Sequence, residues 1–112
     1  MTTSIVEIQV PDAISVDVTD EEFTVTLSDG RTLIVPTAWF PRLLHGSGSE
    51  RENWQLIGQG EGVHWEDLDE DISVEHLLAG IPSLESQISL KKWLEARPGA
   101  KLPKMKRPSA RR

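Results

Sequence analysis

The chain has 112 residues and a formal net charge of −6, with 38% hydrophobic and 27% charged residues. A chain of this length has the size of one domain with a single core. Because it contains no cysteine, disulfides, thiolate nucleophiles and thiolate-bound zinc or iron–sulfur centres are excluded. Neither a signal-peptide pattern nor a run of about 18 apolar residues is present. We therefore expect a cytoplasmic protein that does not span a membrane.

The charge is distributed unevenly along the chain. Residues 1–90 hold 17 acidic side chains and three arginines, whereas residues 91–112 hold nine bases and one acid. The acidic part and the basic part attract each other, or each attracts another molecule of opposite charge. We predict one domain over residues 1–97 and a basic tail over residues 98–112, which is disordered because it is rich in Lys, Arg and Pro and poor in core-forming residues.

The first half of the chain predicts two hairpins. Residues 13–18 and 22–28 alternate apolar and polar positions, and Asp29-Gly30 then favours a type I′ turn, whose two central residues both need positive φ, before a strand over residues 31–35. Thr37 is the expected N-cap of a short helix that ends in a flexible loop at Gly46-Ser-Gly-Ser. Residues 53–57 and 63–66 predict the second hairpin, joined by a glycine-rich loop.

The second half predicts an acidic turn and two helices. The turn covers residues 67–71, and Ser73 caps a helix that ends near Ala79. Residues 83–96 form a further helix, with apolar residues near one face at spacings of three and four: Leu84, Ile88, Leu90, Trp93 and Leu94. The predicted fold class is α+β, a small antiparallel β-sheet built from hairpins with two to three short helices packed on it.

The densest polar cluster runs from His64 to Asp71. Asp67, Asp69 and Asp71 have the alternate spacing that opens an EF-hand loop, but the required glycine and the terminal glutamate are replaced by Ile72 and Leu78. No close histidine pair, nucleophile turn or phosphate-binding lysine motif accompanies the cluster. We therefore predict no catalytic residue, no metal site and no cofactor.

Several of these residues resemble, in one order, a family of short bacterial proteins known as domain of unknown function 2442. The resemblance covers about residues 10–97, and the segments that carry it are Asp29-Gly-Arg, Pro36 with Trp39-Phe-Pro-Arg-Leu, Trp54, Gly62-Val-His-Trp-Glu and Leu68-Asp-Glu-Asp-Ile-Ser-Val-Glu. It implies a small α+β domain. In some relatives such a domain precedes a helix-turn-helix unit, for which residues 98–112 are too few, and in others it neighbours a small toxin partner.

Two non-catalytic functions compete on this basis. The first is an antitoxin-like binding protein whose acidic surface neutralises a small basic toxin. Its contact candidates are Trp39, Arg42, His64, Trp65, Asp67, Asp69 and Asp71. The second is a regulator that contacts nucleic acid weakly through phosphate-neutralising bases of the tail, namely Lys101, Lys104, Lys106, Arg107, Arg111 and Arg112. The oligomeric state stays open.

Overall fold

The structure is a computed structural model that describes residues 9–97. Six strands form two antiparallel three-stranded sheets, in the orders β1-β2-β3 and β4-β5-β6. The elements, in chain order, are β1 Ala13–Val18, β2 Glu22–Leu27, β3 Thr32–Pro36, a 3₁₀ turn Thr37–Trp39, α1 Pro41–His45, α2 Gly48–Glu52, β4 Trp54–Ile57, β5 Gly62–Trp65, β6 Glu70–Ser73, α3 Val74–Leu78 and α4 Gln87–Ala96. The α+β class is confirmed. The predicted disordered tail, residues 98–112, lies outside the described residues, as do residues 1–8.

The first hairpin forms where it was predicted, but its turn differs. Only Gly30 has a positive φ, of 96°, while Asp29 does not. The amide of Gly30 donates to the Leu27 carbonyl at 3.1 Å, and the amide of Leu27 donates to the Arg31 carbonyl at 2.8 Å. This is a three-residue loop with one left-handed glycine, so the predicted type I′ turn is wrong.

The core lies between the inner faces of the two sheets and the short helices. Phe23, Val25 and Leu27 alternate inward along β2 and are almost completely buried, as the period of two requires. From the second sheet, Val63 and Trp65 of β5 join the same cluster. Trp65 is fully buried and its indole Nε1 donates to the Arg51 carbonyl at 3.0 Å, which satisfies its one polar group.

The region between β3 and β4 departs from the prediction. Thr37 is not an N-cap; it is fully buried, and its hydroxyl donates to the Thr19 carbonyl at 2.8 Å. The predicted flexible loop instead begins α2. Ser47 is its N-cap, and the Ser47 and Glu50 side chains bond reciprocally to backbone amides in a capping box. The sequence signature, a serine followed three residues later by glutamate, was present but was hidden by the adjacent glycines.

The second sheet contains a third strand that the sequence prediction missed. Residues 70–73, taken as part of an acidic turn and a cap, pair with β5 as strand β6. Ser73 still caps α3, since its hydroxyl accepts from the His76 amide at 3.1 Å. The C-terminal helix starts only at Gln87, and none of its residues is buried. The predicted packing of Leu84 and Ile88 is wrong, because these side chains are 81% and 71% exposed.

Arg51, at 8% exposure, joins both sheets and two helices. Its guanidinium donates to the carbonyls of Leu43 and Leu44, both at 2.8 Å, and to the Asp20 carboxylate at 2.6 Å. The two carbonyls belong to the last turn of α1, where backbone acceptors have few partners within the helix; the Leu43 carbonyl also accepts from the Gly46 amide at 3.2 Å. Its own carbonyl accepts the Trp65 indole, so one residue holds the β1–β2 turn, α1 and β5 together.

We expect Arg51→Met to lower the free energy of unfolding by about 2 to 3 kcal/mol, because it removes the arginine donors to the Leu43 and Leu44 carbonyls and the ion pair with Asp20. The matched control is Arg31→Met, whose ion pair with Asp29 is exposed and screened by solvent, so its loss should change the stability much less. Urea denaturation followed by tryptophan fluorescence measures both. Equal losses in the two variants would contradict a special role for Arg51.

Candidate partner-binding site

An open cleft of about 460 Å³ lies between β6 and the irregular segment of residues 81–85. Residues 69–73 form one wall and residues 81–85 form the other. The second wall is held in place by the Ser83 amide, which donates to the Trp39 carbonyl at 3.0 Å. Phe40 and Ile72 add apolar surface, so the cleft combines charged walls with apolar contacts.

Arg42 spans the cleft from α1 and is bonded at every part of its guanidinium. It donates to both carboxylate oxygens of Glu85, at 2.5 Å for the shortest contact, and to the carbonyls of Leu68 and Asp69 at 3.3 and 2.9 Å. The hydrogen bond to Arg42 lowers the pKa of the Glu85 carboxyl. Arg42 therefore ties the two walls together, and Glu85 largely neutralises it.

The C-terminal half of α4 makes cation–π contacts through Trp93. The guanidinium carbon of Arg42 lies 5.0 Å from the centroid of the Trp93 ring, and that of Arg97 lies 4.6 Å from it. Arg97 also donates to Glu50 of α2 at 2.7 Å. The Arg97–Trp93 contact lies within α4 and its cap, so the attachment to the domain comes from Arg42, from the Arg97–Glu50 bond and from Trp93, which packs partly buried against the core.

Glu70 is a half-buried carboxyl in the cleft. On β6 it lies opposite Trp65, on the face of the sheet that is turned to the core. Burial raises the pKa of Glu70 to about 7, because desolvation disfavours the charged form. The positive charge of Arg42 acts in the opposite direction, and the neighbouring carboxylate of Glu85 raises the pKa further.

His64 lies on the opposite face of the same hairpin, between two carboxylates. It is paired with Asp71 across the strands, and its Nδ1 contacts that carboxylate while its Nε2 lies 2.8 Å from Glu66. Hydrogen bonds to Glu66 and Asp71 raise the pKa of His64 above its ordinary 6.5, and burial opposes them. His64 is thus engaged within the hairpin and gives the acidic cluster one titratable positive charge.

The structure separates the residues predicted for partner binding. Arg42, Asp69 and Asp71 line the cleft, and Trp39 beside it is 38% exposed. Trp65 is fully buried in the core, so its prediction as a contact residue is wrong. Asp67 lies on the turn before β6 and accepts from Asn53 at 3.0 Å. The six tail bases proposed for nucleic-acid contact lie outside the described residues.

Sequence reasoning missed Glu85 and Trp93. Both meet Arg42 from more than forty residues away in the chain, and no local spacing connects them. Within residues 9–97, the structure contains no group of three or more His, Cys, Asp or Glu side chains arranged to hold a metal ion. Among the helices of the same part of the chain, none is long and apolar enough to cross a bilayer.

Two small antiparallel sheets, four short helices and an acidic cleft define the class of protein: an α+β domain with an open surface site. The family model for a protein of unknown function, DUF2442, matches residues 13–83. The chain belongs to this family, as its sequence resemblance predicted. The association with helix-turn-helix fusions is not borne out by these comparisons.

Two solved structures share the fold. A crystal structure of a protein of unknown function from Rhodospirillum rubrum is 31% identical, with a TM-score of 0.58, and the match covers 70% of this chain and 96% of the other. A solution structure of an uncharacterized protein from Chromobacterium violaceum is 20% identical, with a TM-score of 0.57, over 77% and 79% of the two chains. The search of curated proteins found no match.

Glu70→Gln should stabilise the protein more at neutral and alkaline pH than in acid. The folded pKa of about 7 exceeds the ordinary value of 4.5, so the folded state holds the proton more tightly, and wild-type stability falls as the pH rises between these values. At about pH 8 the glutamine variant avoids this loss, worth about 2 kcal/mol after allowance for partial solvation of the carboxyl.

Below about pH 4, Glu70 is protonated in both states and the gain should disappear. Urea denaturation at the two pH values measures the difference, with exposed Glu52→Gln as the control for removing one surface charge. A gain that does not depend on pH would contradict the assignment of the raised pKa to Glu70.

The raised pKa of His64 predicts a second pH effect. Its folded pKa above 6.5 stabilises the protein at pH values below 6.5, and this contribution is lost as the pH rises through the folded pKa. We expect Glu66→Gln to lower the pKa of His64, because Glu66 is the largest cause of the shift. Titration of the imidazole signals by NMR measures it, and a wild-type pKa at or below 6.5 would refute the prediction.

Proposed function

We propose that this chain is a non-enzymatic binding module that recognises a basic partner protein, in the manner of the antitoxin of a toxin–antitoxin pair. The contact is made by the cleft and by the acidic surface beside it. We define the acidic surface as five carboxylates within six residues: Glu66, Asp67, Asp69, Glu70 and Asp71. This concentration of negative charge next to an open cleft is the observation that carries the proposal.

The negative charge is not balanced within the domain. Residues 9–97 contain 17 carboxylates and six lysines or arginines. Arg42, the arginine that lines the cleft, is held mainly by Glu85 at 2.5 Å and lies farther from the Asp69 carboxylate, at 3.7 Å, so it offsets the acidic surface only in part. A basic partner would therefore be attracted and oriented as it approaches.

Exposed apolar side chains near the charges supply surface that a partner would bury. Trp39 is 38% exposed, and its carbonyl bonds to a wall of the cleft. Leu84 belongs to that wall and is 81% exposed. Tryptophan and apolar anchors surrounded by polar groups are the usual centres of binding energy at interfaces. The antitoxin-like role additionally rests on the family resemblance, because some relatives neighbour a small toxin partner.

The second candidate is a regulator that contacts nucleic acid through the tail. Its support is the basic composition of residues 98–112, which opposes the acidic character of residues 9–97. Phosphates would be repelled by the acidic surface, so nucleic-acid affinity in this alternative depends on the tail and falls steeply with salt. Replacing the six tail bases with glutamine tests it without removing any residue.

Affinity purification of the full chain from its native host, with nuclease treatment, tests the first proposal. We expect a stoichiometric basic protein that resists nuclease and is retained by the tail variant. Neutralising three carboxylates of the acidic surface should weaken the complex about tenfold or more, since close charge pairs carry several kcal/mol. These substitutions are Asp67→Asn, Asp69→Asn and Asp71→Asn.

The matched control removes three exposed charges from the first sheet and its turn. It consists of Asp17→Asn, Glu21→Gln and Glu22→Gln, and it leaves the same net charge. Retained binding in this control and lost binding in the surface variant support the proposed site. A wild-type chain that purifies with no basic protein would sink the proposal, and nuclease-sensitive partners that depend on the tail bases would favour the second candidate.

A further inference from the structure

We infer that the partner docks by adding an extended basic segment, as a fourth strand, to the free edge of β6. This inference rests on the proposed function, because it takes the partner to be basic. It specifies the mode of recognition: main-chain hydrogen bonds to Asp71 and Ser73, together with contacts between alternating partner side chains and the walls of the cleft. Addition of a strand to a sheet edge is a recurrent way of binding peptides.

The backbone register shows which groups of β6 face outward. The Val74 amide donates to the Glu61 carbonyl, so residues 70, 72 and 74 turn their main-chain groups toward β5. Asp71 and Ser73 alternate with them and therefore direct their amides to the other side. Strand β6 is the last strand of its sheet, so among the strands of the described residues none pairs with these groups.

The opposite wall of the cleft does not pair with this edge through its main chain, and the Arg42 bridge between the walls meets the Asp69 carbonyl, ahead of Asp71 and Ser73. In the described part of the chain, the amides of Ile81 and Ser83 donate to the carbonyls of His76 and Trp39, and no main-chain hydrogen bond joins residues 81–85 to β6. The cleft of about 460 Å³ runs along the same residues, 69–73. Within residues 9–97, space and main-chain amides that have no protein acceptor therefore coincide at one edge.

The side chains along the edge select the chemistry of the added strand. Asp69, Glu70, Asp71 and Glu85 line the cleft, where Arg42 is paired with Glu85. Because the pKa of Glu70 is about 7, this carboxyl is only partly charged at neutral pH, and most of the unpaired negative charge lies on Asp69 and Asp71. Ile72, Ile81 and Leu84 add apolar surface between the charges. The complementary occupant is a segment of about four residues, the length of β6, that alternates Lys or Arg with apolar side chains.

The same charges disfavour the edge of a second copy. Two β6 edges would bring identical carboxylates together, and like charges directly opposite each other destabilise strand pairs. Charged side chains are also a common means by which proteins prevent edge-to-edge association. The acidic edge thus disfavours self-pairing and favours a basic strand.

A short synthetic peptide, acetyl-Lys-Val-Lys-Val-Lys-amide, tests the inference on the full ¹⁵N-labelled chain by NMR titration. We expect the largest shift changes at residues 70–74 and 81–85. Two further peptides carry N-methyl groups, one on the valines and one on the central lysine. Each N-methylated peptide keeps the charge of the parent but cannot donate hydrogen bonds along one of its edges. At least one of them should therefore bind about tenfold more weakly, which corresponds to the loss of one to two main-chain hydrogen bonds.

A matched pair of variants tests the protein side. Asp71→Pro removes an outward amide that makes no bond to β5, and proline is tolerated at such edge positions. Asp71→Ala removes the same carboxylate but keeps the amide. We expect the proline variant to bind the parent peptide about tenfold more weakly than the alanine variant. Should the proline variant fail to fold, the N-methylated peptides decide the question.

Equal binding of the parent and both N-methylated peptides would overturn the inference, because attraction would then depend on charge alone. Shift changes that avoid β6, or no shift change at all, would overturn it as well. None of these outcomes affects the proposed function, which fails separately if the wild-type chain purifies without a basic protein.

Discussion

The hydrogen bonds of the Arg51 guanidinium are the interactions on which the arrangement of the two sheets depends. Helices α1 and α2 are each only five residues long, and a helix of one turn leaves most of its backbone acceptors without internal partners. Arg51 supplies donors to the end of α1 and reaches the β1–β2 turn, while its carbonyl receives the Trp65 indole. Short elements that would not be stable alone are thereby fixed around one core.

Arg42 has the corresponding role in the cleft. Its bonds to Glu85, to the carbonyls of the β5–β6 turn and to the Trp93 ring connect the domain to a C-terminal helix that buries none of its own residues. Two arginines that stand nine positions apart thus organise different halves of the molecule. The helix is held by charged and cation–π contacts together with the partly buried Trp93, whereas the sheets depend mainly on apolar packing. The cleft lies between the second sheet and the segment of residues 81–85 that leads to this helix.

One carboxylate of the acidic surface, Glu70, lowers the stability of the fold at neutral pH. Glu70 occupies a core-facing strand position where an apolar residue would pack without desolvating a charge, and its raised pKa records that cost. Departures from locally optimal sequence are expected at functional sites. His64 limits the repulsion on the other face by lying between Glu66 and Asp71. The hairpin thus combines an acidic edge with a histidine that reduces the repulsion between its carboxylates. This arrangement fits a surface that selects a basic strand.

The sequence by itself determined the local structure: the alternation in β1 and β2, the glycine in the first turn, the Ser73 cap, the second hairpin and the family. These features depend on residues a few positions apart, where periodicity and capping act directly. It also located the acidic cluster, but not the cleft. Tertiary structure alone decided that Trp65 is buried, that residues 70–73 form an edge strand, and that Glu85 and Trp93 meet Arg42. Those outcomes depend on which faces pack together and on contacts across more than forty residues, for which no short-range pattern exists.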